Sequence, residues 1–278
     1  MDGTERHSIV FHDNLTHKCL KILNHISFMP DQRNDIKICG NIIADNPIDL
    51  EHKLIILESC PEIDIIHLDY MDGKFVPNKS LDFLESFTRL PAHKRQSSKI
   101  YHLHMMGFHP EQWIYNLETF NPGLLVSIDS FLFHVESDNL VRICFSLDLA
   151  RGFGKPGIAI NPGTPVSFIE PLLTSFKRKL SGDVPLVDQV LVMAVKPGQY
   201  HAKLIPECLK KAEEIRKIRE KTGAYIDIIA DGSVNADTVK DFYNAGFNIF
   251  SSGSCIMKNP VLSPNVAAKT LRDLCYSI

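Results

Sequence analysis

A chain of 278 residues with 44% hydrophobic and 23% charged side chains can bury a large core, which excludes wholesale disorder and admits one large α/β domain. Thirty Lys and Arg against thirty-three Asp and Glu leave a formal charge of −3, too balanced for a nucleic-acid binder held by bulk electrostatics. Seven cysteines between Cys19 and Cys275, with no CxxC pair, form neither a disulfide framework nor a zinc knuckle, so a reducing cytoplasm is the expected setting.

Residues 1–35 stand apart as an N-terminal extension. Within it Leu15, Cys19, Leu20, Leu23 and Ile26 have helical spacing, which suits a short helix packed on the domain or on a partner subunit. Apolar, β-rich runs then recur at Ile36–Ile43, Ile63–Asp69, Lys99–Met105, Phe131–Val135, Gly157–Asn161, Val187–Val195, Tyr225–Ala230 and Asn248–Ser252. Amphipathic helical stretches separate them, the clearest being Ile205–Lys221, with Leu209, Ala212, Ile215 and Ile218 on one face. The basic stretch Ser175–Asp183 reads as a solvated loop before the sixth strand. Eight strand-helix units over residues 36–278 predict a parallel sheet closed into a (β/α)8 TIM barrel, with an open doubly wound sheet as the alternative. No apolar run reaches the roughly 18 residues of a membrane span. The first residues, MDGTERHSIVFHDN, lack both a secretory apolar stretch and the arginine bias of a transit peptide.

A barrel presents its chemistry at the carboxyl ends of its strands. There, His67 and Asp69 share one face of the second strand, His102 and His104 share one face of the third, and the seventh ends at Asp231. Any one of these alone would serve as an ordinary hydrogen-bonded core residue. Converging in one mouth, two imidazoles and two carboxylates need compensation, and a divalent cation can partner them. Mixed imidazole and carboxylate donors suit Zn2+, Fe2+ or Mn2+. Asp231-Gly232-Ser233 and Ser252-Gly253-Ser254 follow the last two strands, where backbone N–H groups can cradle an anion.

The motifs HLDYMDGKFVPN (67–78), HMMGFHPEQWI (104–114), FHVE (133–136), GIAINPGTP (157–165), VLVMAVKPG (190–198), ADGSVN (230–235) and SSGSCIM (251–257) resemble, in order, those of the ribulose-phosphate 3-epimerase family and its allulose-6-phosphate relatives. The resemblance runs from about Ile36 to Lys258. It implies a phosphate-binding TIM barrel with one divalent metal ion and no organic cofactor. His67, Asp69, His104 and Asp231 would be the metal ligands, and Asp69 and Asp231 the two acid/base groups that invert C3 of a phosphorylated ketose through an enediolate. Met71, Met106 and Met193 match methionines that line the pocket, whereas His102 falls outside the motif. The partners implied are a small phosphorylated sugar and further copies of the chain in a homo-oligomer.

Three departures fall on positions that hold substrate. Asn41 stands where the family usually has Ser. The loop after the sixth strand reads Pro197-Gly198-Gln199-Tyr200-His201-Ala202 in place of Pro-Gly-Phe-Gly-Gly-Gln, so Tyr200 and His201 replace backbone freedom with side chains. The seventh-strand motif has Gly232-Ser233 in place of Gly-Gly, a feature shared with the allulose-6-phosphate branch. The reaction type is therefore indicated more firmly than the sugar, with a pentulose 5-phosphate, a hexulose 6-phosphate or a non-catalytic sugar-phosphate binder as the alternatives. No lysine stands at a catalytic strand end. Lys196 sits on the loop after strand six, which argues against a Schiff-base aldolase.

Overall fold

The structure, a computed structural model, describes residues 36–43, 47–80, 98–120, 122–177, 183–199 and 202–277. The extension with Leu15–Ile26, and the loop residues Tyr200 and His201, lie outside the described residues. Eight parallel strands close into a barrel: β1 (Lys37–Ile42), β2 (Ile65–Met71), β3 (Ile100–Met106), β4 (Ser130–His134), β5 (Lys155–Ile160), β6 (Gln189–Met193), β7 (Asp227–Asp231) and β8 (Ile249–Ser252). Each strand pairs with the next in sequence, and β8 returns to β1 with Lys37 opposite Ile249 and Cys39 opposite Ser251.

Strands buried on both faces read as near-continuous apolar runs. The outer face carries Ile38, Ile66, Leu68, Phe131, Phe133, Val190 and Phe250 against the helical shell. The inner face fills the barrel with Cys39, Ile65, Leu132, Ala159, Leu191, Ile229 and Ile249. Burying each large side chain of this kind is worth about 1.5–3 kcal/mol. The shell comprises α1 (Pro47–Glu58), α2 (Pro110–Phe120), α3 (Pro122–Leu125), α4 (Leu140–Ala150), α5 (Val166–Leu173), α6 (Glu207–Thr222), α7 (Val239–Ala245), α8 (Ser254–Met257) and α9 (Pro264–Tyr276). Local signals set their ends. The Asn139 side chain accepts from the Arg142 N–H at the start of α4, and Gly223 ends α6 at φ 68°, a left-handed turn that glycine adopts without penalty. Arg272 on α9 donates to Glu62, Asp64 and the Ile36 carbonyl, which fastens the last helix to the base of the barrel.

Three sequence expectations need correction in detail. β2 continues past Asp69 to Met71, because Asp69, Tyr70 and Met71 pair in register with His104, Met105 and Met106. The helix expected at Ile205–Lys221 starts at Glu207, with Pro206 at its N-cap. The stretch expected as a plain loop before β6 contains a ribbon, Phe176–Lys177 antiparallel to Val184–Pro185. Residues 178–182 of that stretch lie outside the described residues.

Candidate active site

Strand alternation points His67, Asp69 and Met71 of β2 into the barrel, and His102, His104 and Met106 of β3 beside them. Asp231 ends β7 opposite Met193 of β6 on one side and Ser251 of β8 on the other. Four of these groups meet. His104 Nδ1 lies 2.9 Å from Asp69 Oδ1 and 3.5 Å from Asp231 Oδ2, and His67 Nε2 lies 3.4 Å from Asp69 Oδ1. One donor atom from each of His67, Asp69, His104 and Asp231 falls within 4.8 Å of all the others. The four residues are 0%, 6%, 0% and 5% exposed, so water does little to solvate them.

The donor set fits a divalent cation on the geometry of the chain itself. Both ring nitrogens of His67 are buried without a hydrogen-bond partner, a state that costs free energy unless another group engages them. Two carboxylates and two imidazoles with donors this close match the ligand chemistry of Zn2+, Fe2+ or Mn2+. His102 is different. It pairs in register with His67, edge-on to it with ring centroids 6.0 Å apart, and burial pushes its imidazole well below the ordinary range. It sits beside the cluster without joining it.

The two carboxylates are driven apart. Burial pushes Asp69 upward, but its close contacts with His104 and His67 outweigh it and hold the carboxyl well below the usual range. Burial raises Asp231, and the neighbouring charge of Asp69 raises it further. His67 is raised because its contacts with Asp69 and Asp231 outweigh burial, whereas burial lowers His104. A lowered and a raised carboxyl side by side suit proton transfer in two directions.

The remaining expected residues surround this centre. Met71 and Met106 form a small apolar cluster with Val76, and Met193 belongs to the barrel's inner core. Asn41 Nδ2 donates to Ser251 Oγ at 3.2 Å, while Asn41 Oδ1 is buried without a partner. Gly253 lies beside Asn41, and Ser254 opens the short helix α8. Gly232 (φ 92°) and Ser233 (φ 56°) turn the chain sharply after β7, and Ser252 Oγ donates to the Val234 carbonyl at 2.8 Å, which joins the two Gly-Ser loops. A side chain at Gly232 would meet Val195 Cγ2 at 2.5 Å. Asn78 Nδ2 donates to the Gly198 carbonyl at 2.7 Å, linking the loop after β2 to the one after β6 that carries Gln199.

Two groups at the mouth escape a reading of the sequence. His134 ends β4 on the same inward face as Leu132, and its Nε2 lies 3.0 Å from His104 Nε2. Its neighbour Glu136 faces His134 Nδ1 at 3.1 Å. The rule that selects His67, His104 and Asp231, an ionisable group at an inward strand end, would have selected His134 as well. The second group, His109, Glu111 and Asp138, gathers on the rim after β3 and β4. There Arg142 Nη1 already donates to Glu111 Oε1 at 2.7 Å and His109 Nδ1 meets Asp138 Oδ2 at 2.8 Å, so this is an ion-pair cluster completed by its own cation.

Comparison with known proteins places the chain in a family. A ribulose-phosphate 3-epimerase from Mycobacterium leprae (strain TN) is 30% identical over 210 residues, 75% of this chain and 83% of that protein. A chloroplastic ribulose-5-phosphate-3-epimerase from Arabidopsis thaliana is 28% identical over 257 residues, 90% of this chain and 80% of that one. A crystal structure of KGPDC from Streptococcus mutans superposes with a TM-score of 0.61 at 11% identity, covering 87% of this chain and 97% of the other, a likeness of fold. The family model for the ribulose-phosphate 3 epimerase family matches residues 37–257, from the first strand of the barrel to the end of α8. The chain belongs to the ribulose-phosphate 3 epimerase family, and it is an isomerase of the ketose-phosphate epimerase type.

Proposed function

We propose that the chain inverts C3 of a phosphorylated ketose, ribulose 5-phosphate first among them, by proton transfer between Asp69 and Asp231. The observation that carries this reading is the pair itself: two inward, buried carboxyls on either side of His104 Nδ1, one held low and the other raised. Asp69, ionised, takes the C3 proton from one face of the ketose. Asp231, protonated, delivers a proton to the other, and the roles exchange in the reverse direction. His67, Asp69, His104 and Asp231 would hold a divalent cation, which when bound supplies Lewis-acid stabilisation of the charge that develops on the substrate oxygens. Met71, Met106 and Met193 keep water from the reacting carbons and offer no competing proton donor.

Substrate is held, on this reading, by Asn41 and by the turns that end the last three strands. Gly198 and Gln199 after β6, Gly232 and Ser233 after β7, and Gly253 and Ser254 after β8 would face the phosphate, joined in the sequence expectation by Tyr200 and His201, which lie outside the described residues. The uncharged Gly-Ser turns present backbone N–H groups to the anion. No organic cofactor is needed for an epimerisation beside a ketone. Among the described residues Cys39, Cys60, Cys144, Cys208, Cys255 and Cys275 carry free thiols. Among the described residues no helix is long and apolar enough to cross a membrane.

The test is wash-in of solvent deuterium at C3 over a panel of pentulose 5-phosphates and hexulose 6-phosphates. The wild-type chain is expected to exchange one class rapidly, and Asp69→Asn and Asp231→Asn each to lose about 10²–10⁴-fold. Wild-type exchange retained in both single variants would overturn the two-carboxylate mechanism. Bound metal with no exchange on any member would favour a sugar-phosphate binder without turnover.

A further inference from the structure

We infer that Glu136 and His134 form a proton-ordering relay that fixes the tautomer of His104 and so keeps His104 Nδ1 free to ligate the cation. This rests on the metal-site reading proposed above. The chain of contacts starts at Asp69 Oδ1, 2.9 Å from His104 Nδ1. It passes from His104 Nε2 to His134 Nε2 at 3.0 Å and from His134 Nδ1 to Glu136 Oε2 at 3.1 Å. The two imidazoles are inclined by 28° with centroids 5.1 Å apart, and both are fully buried.

In the site with its cation ligands engaged, proton counting decides the direction. Two neutral imidazoles carry one N–H each. Glu136 is a carboxylate that only accepts, so His134 must place its proton on Nδ1. His134 Nε2 is then a bare lone pair, and the close contact with His104 Nε2 is a hydrogen bond only if His104 is the donor. With its proton on Nε2, His104 would have no proton on Nδ1, and the 2.9 Å approach of Nδ1 to Asp69 Oδ1 then calls for a cation between the two lone pairs, which is what ligation by both atoms would supply. The ligand nitrogen is thus specified from outside the cluster, by Glu136. Partners of this kind orient a metal-bound histidine and raise its basicity.

Glu136 is itself held. Its Oε1 accepts from the Asn161 N–H at 2.8 Å and from Thr164 Oγ1. The loop that presents those donors is fastened by Lys211 Nζ, which donates to the carbonyls of Asn161 at 2.8 Å and Thr164 at 2.6 Å. The backbone N–H of Asn161 cannot become an acceptor. In Glu136→Gln the amide oxygen therefore stays on that side, and the amide NH2 faces His134 Nδ1. That donor inverts the chain: His134 becomes Nε2–H, His104 becomes Nδ1–H, and a proton points into the cation site. A nearly isosteric change that leaves every ligand in place should weaken metal binding.

The experiment measures Zn2+ affinity by chelator competition for the full chain, for Glu136→Gln and for His134→Phe, with the melting temperature of each metal-free protein and the ring 15N shifts of His104. The expected result is a 10–100-fold weaker Zn2+ affinity in both variants. Metal-free melting of Glu136→Gln stays at the wild-type value, and in that variant the shifts report His104 in the Nδ1–H form. Zn2+ binding by Glu136→Gln within twofold of wild type, or His104 in the Nε2–H form in that variant, would overturn the relay while leaving the metal site standing. Absence of Zn2+ binding by the wild-type chain would overturn the metal site and the relay together.

Discussion

Burial sets the chemistry of single side chains throughout this barrel, outside the mouth as well as within it. Cys275 on α9 lies against the core, and burial pushes its thiol up to about 11 from an ordinary 9.0. Burial likewise raises Cys39, inside the barrel, well above that value. A raised folded-state value means that stability is fully present below pH 9.0, where folded and unfolded chains both keep these protons. It is lost as pH rises from 9.0 toward 11, because the unfolded chain gives up protons that the folded chain retains. The melting temperature should therefore fall on the alkaline side of pH 9.0, and Cys275→Ala should flatten that fall. Parallel melting profiles for the two proteins would show that the thiol is not the source. The same preference of buried sites for uncharged groups raises Asp231 beside a lowered Asp69.

At the scale of elements, backbone contacts without slack fix how successive strands and helices meet. Gly154 joins α4 to β5, and a side chain there would lie 2.6 Å from the Asp129 carbonyl oxygen and 2.8 Å from its carbon. Neither atom can swing aside as a flexible side chain could. Gly154→Ala should destabilise the barrel by about 1–3 kcal/mol in urea unfolding, with the slope unchanged. A loss below about 0.5 kcal/mol would mean that the β4–β5 junction yields more readily than its geometry implies.

How far each element can be read from the chain follows from the same physics. β2, β3 and β7 are legible with their functional residues, because an ionisable group in an apolar run is conspicuous and alternation assigns its face. β4 is legible as a strand, yet FHVE reads only as a motif, and His134 and Glu136 do not stand out as a working pair. Their significance lies in contacts with His104, Asn161 and Thr164, which come from other segments and leave no spacing signal. The ribbon at Phe176–Lys177 and Val184–Pro185 is illegible for another reason, since strands of two residues are too short to show a period of two. Ser251, which touches Asn41 across the junction of β1 and β8, gains its meaning only when the barrel closes.

For the whole molecule, a ligand that binds only the folded chain shifts the unfolding equilibrium by mass action. At a Zn2+ concentration one hundred times its Kd, the barrel should gain about 2.7 kcal/mol. For a domain of this size that corresponds to a rise of about 5–10 °C in melting temperature. Removal of the ion with a chelator should reverse the rise, and Asp69→Asn should show little of it. Equal chelator sensitivity in wild type and Asp69→Asn would place the stabilising ion elsewhere. The family match over residues 37–257 makes the barrel the unit to which this linkage applies.

The strand order has a consequence for how the working molecule comes into being. Seven of the eight junctions join neighbours in sequence across single crossovers, so they can form early; only β8 against β1 joins the two ends of the barrel. His67, Asp69 and His104 come from the first half of the chain and Asp231 from the second, while Asn41 and Ser251 meet across the last junction. A nascent or truncated chain that stops before β7 would carry three of the four donors and neither complete wall of the mouth. The ring is therefore also a checkpoint. If the proposed function holds, tight cation binding and C3 exchange would arise together only when the two ends have met, and an incompletely assembled chain would be inert toward the sugar phosphate.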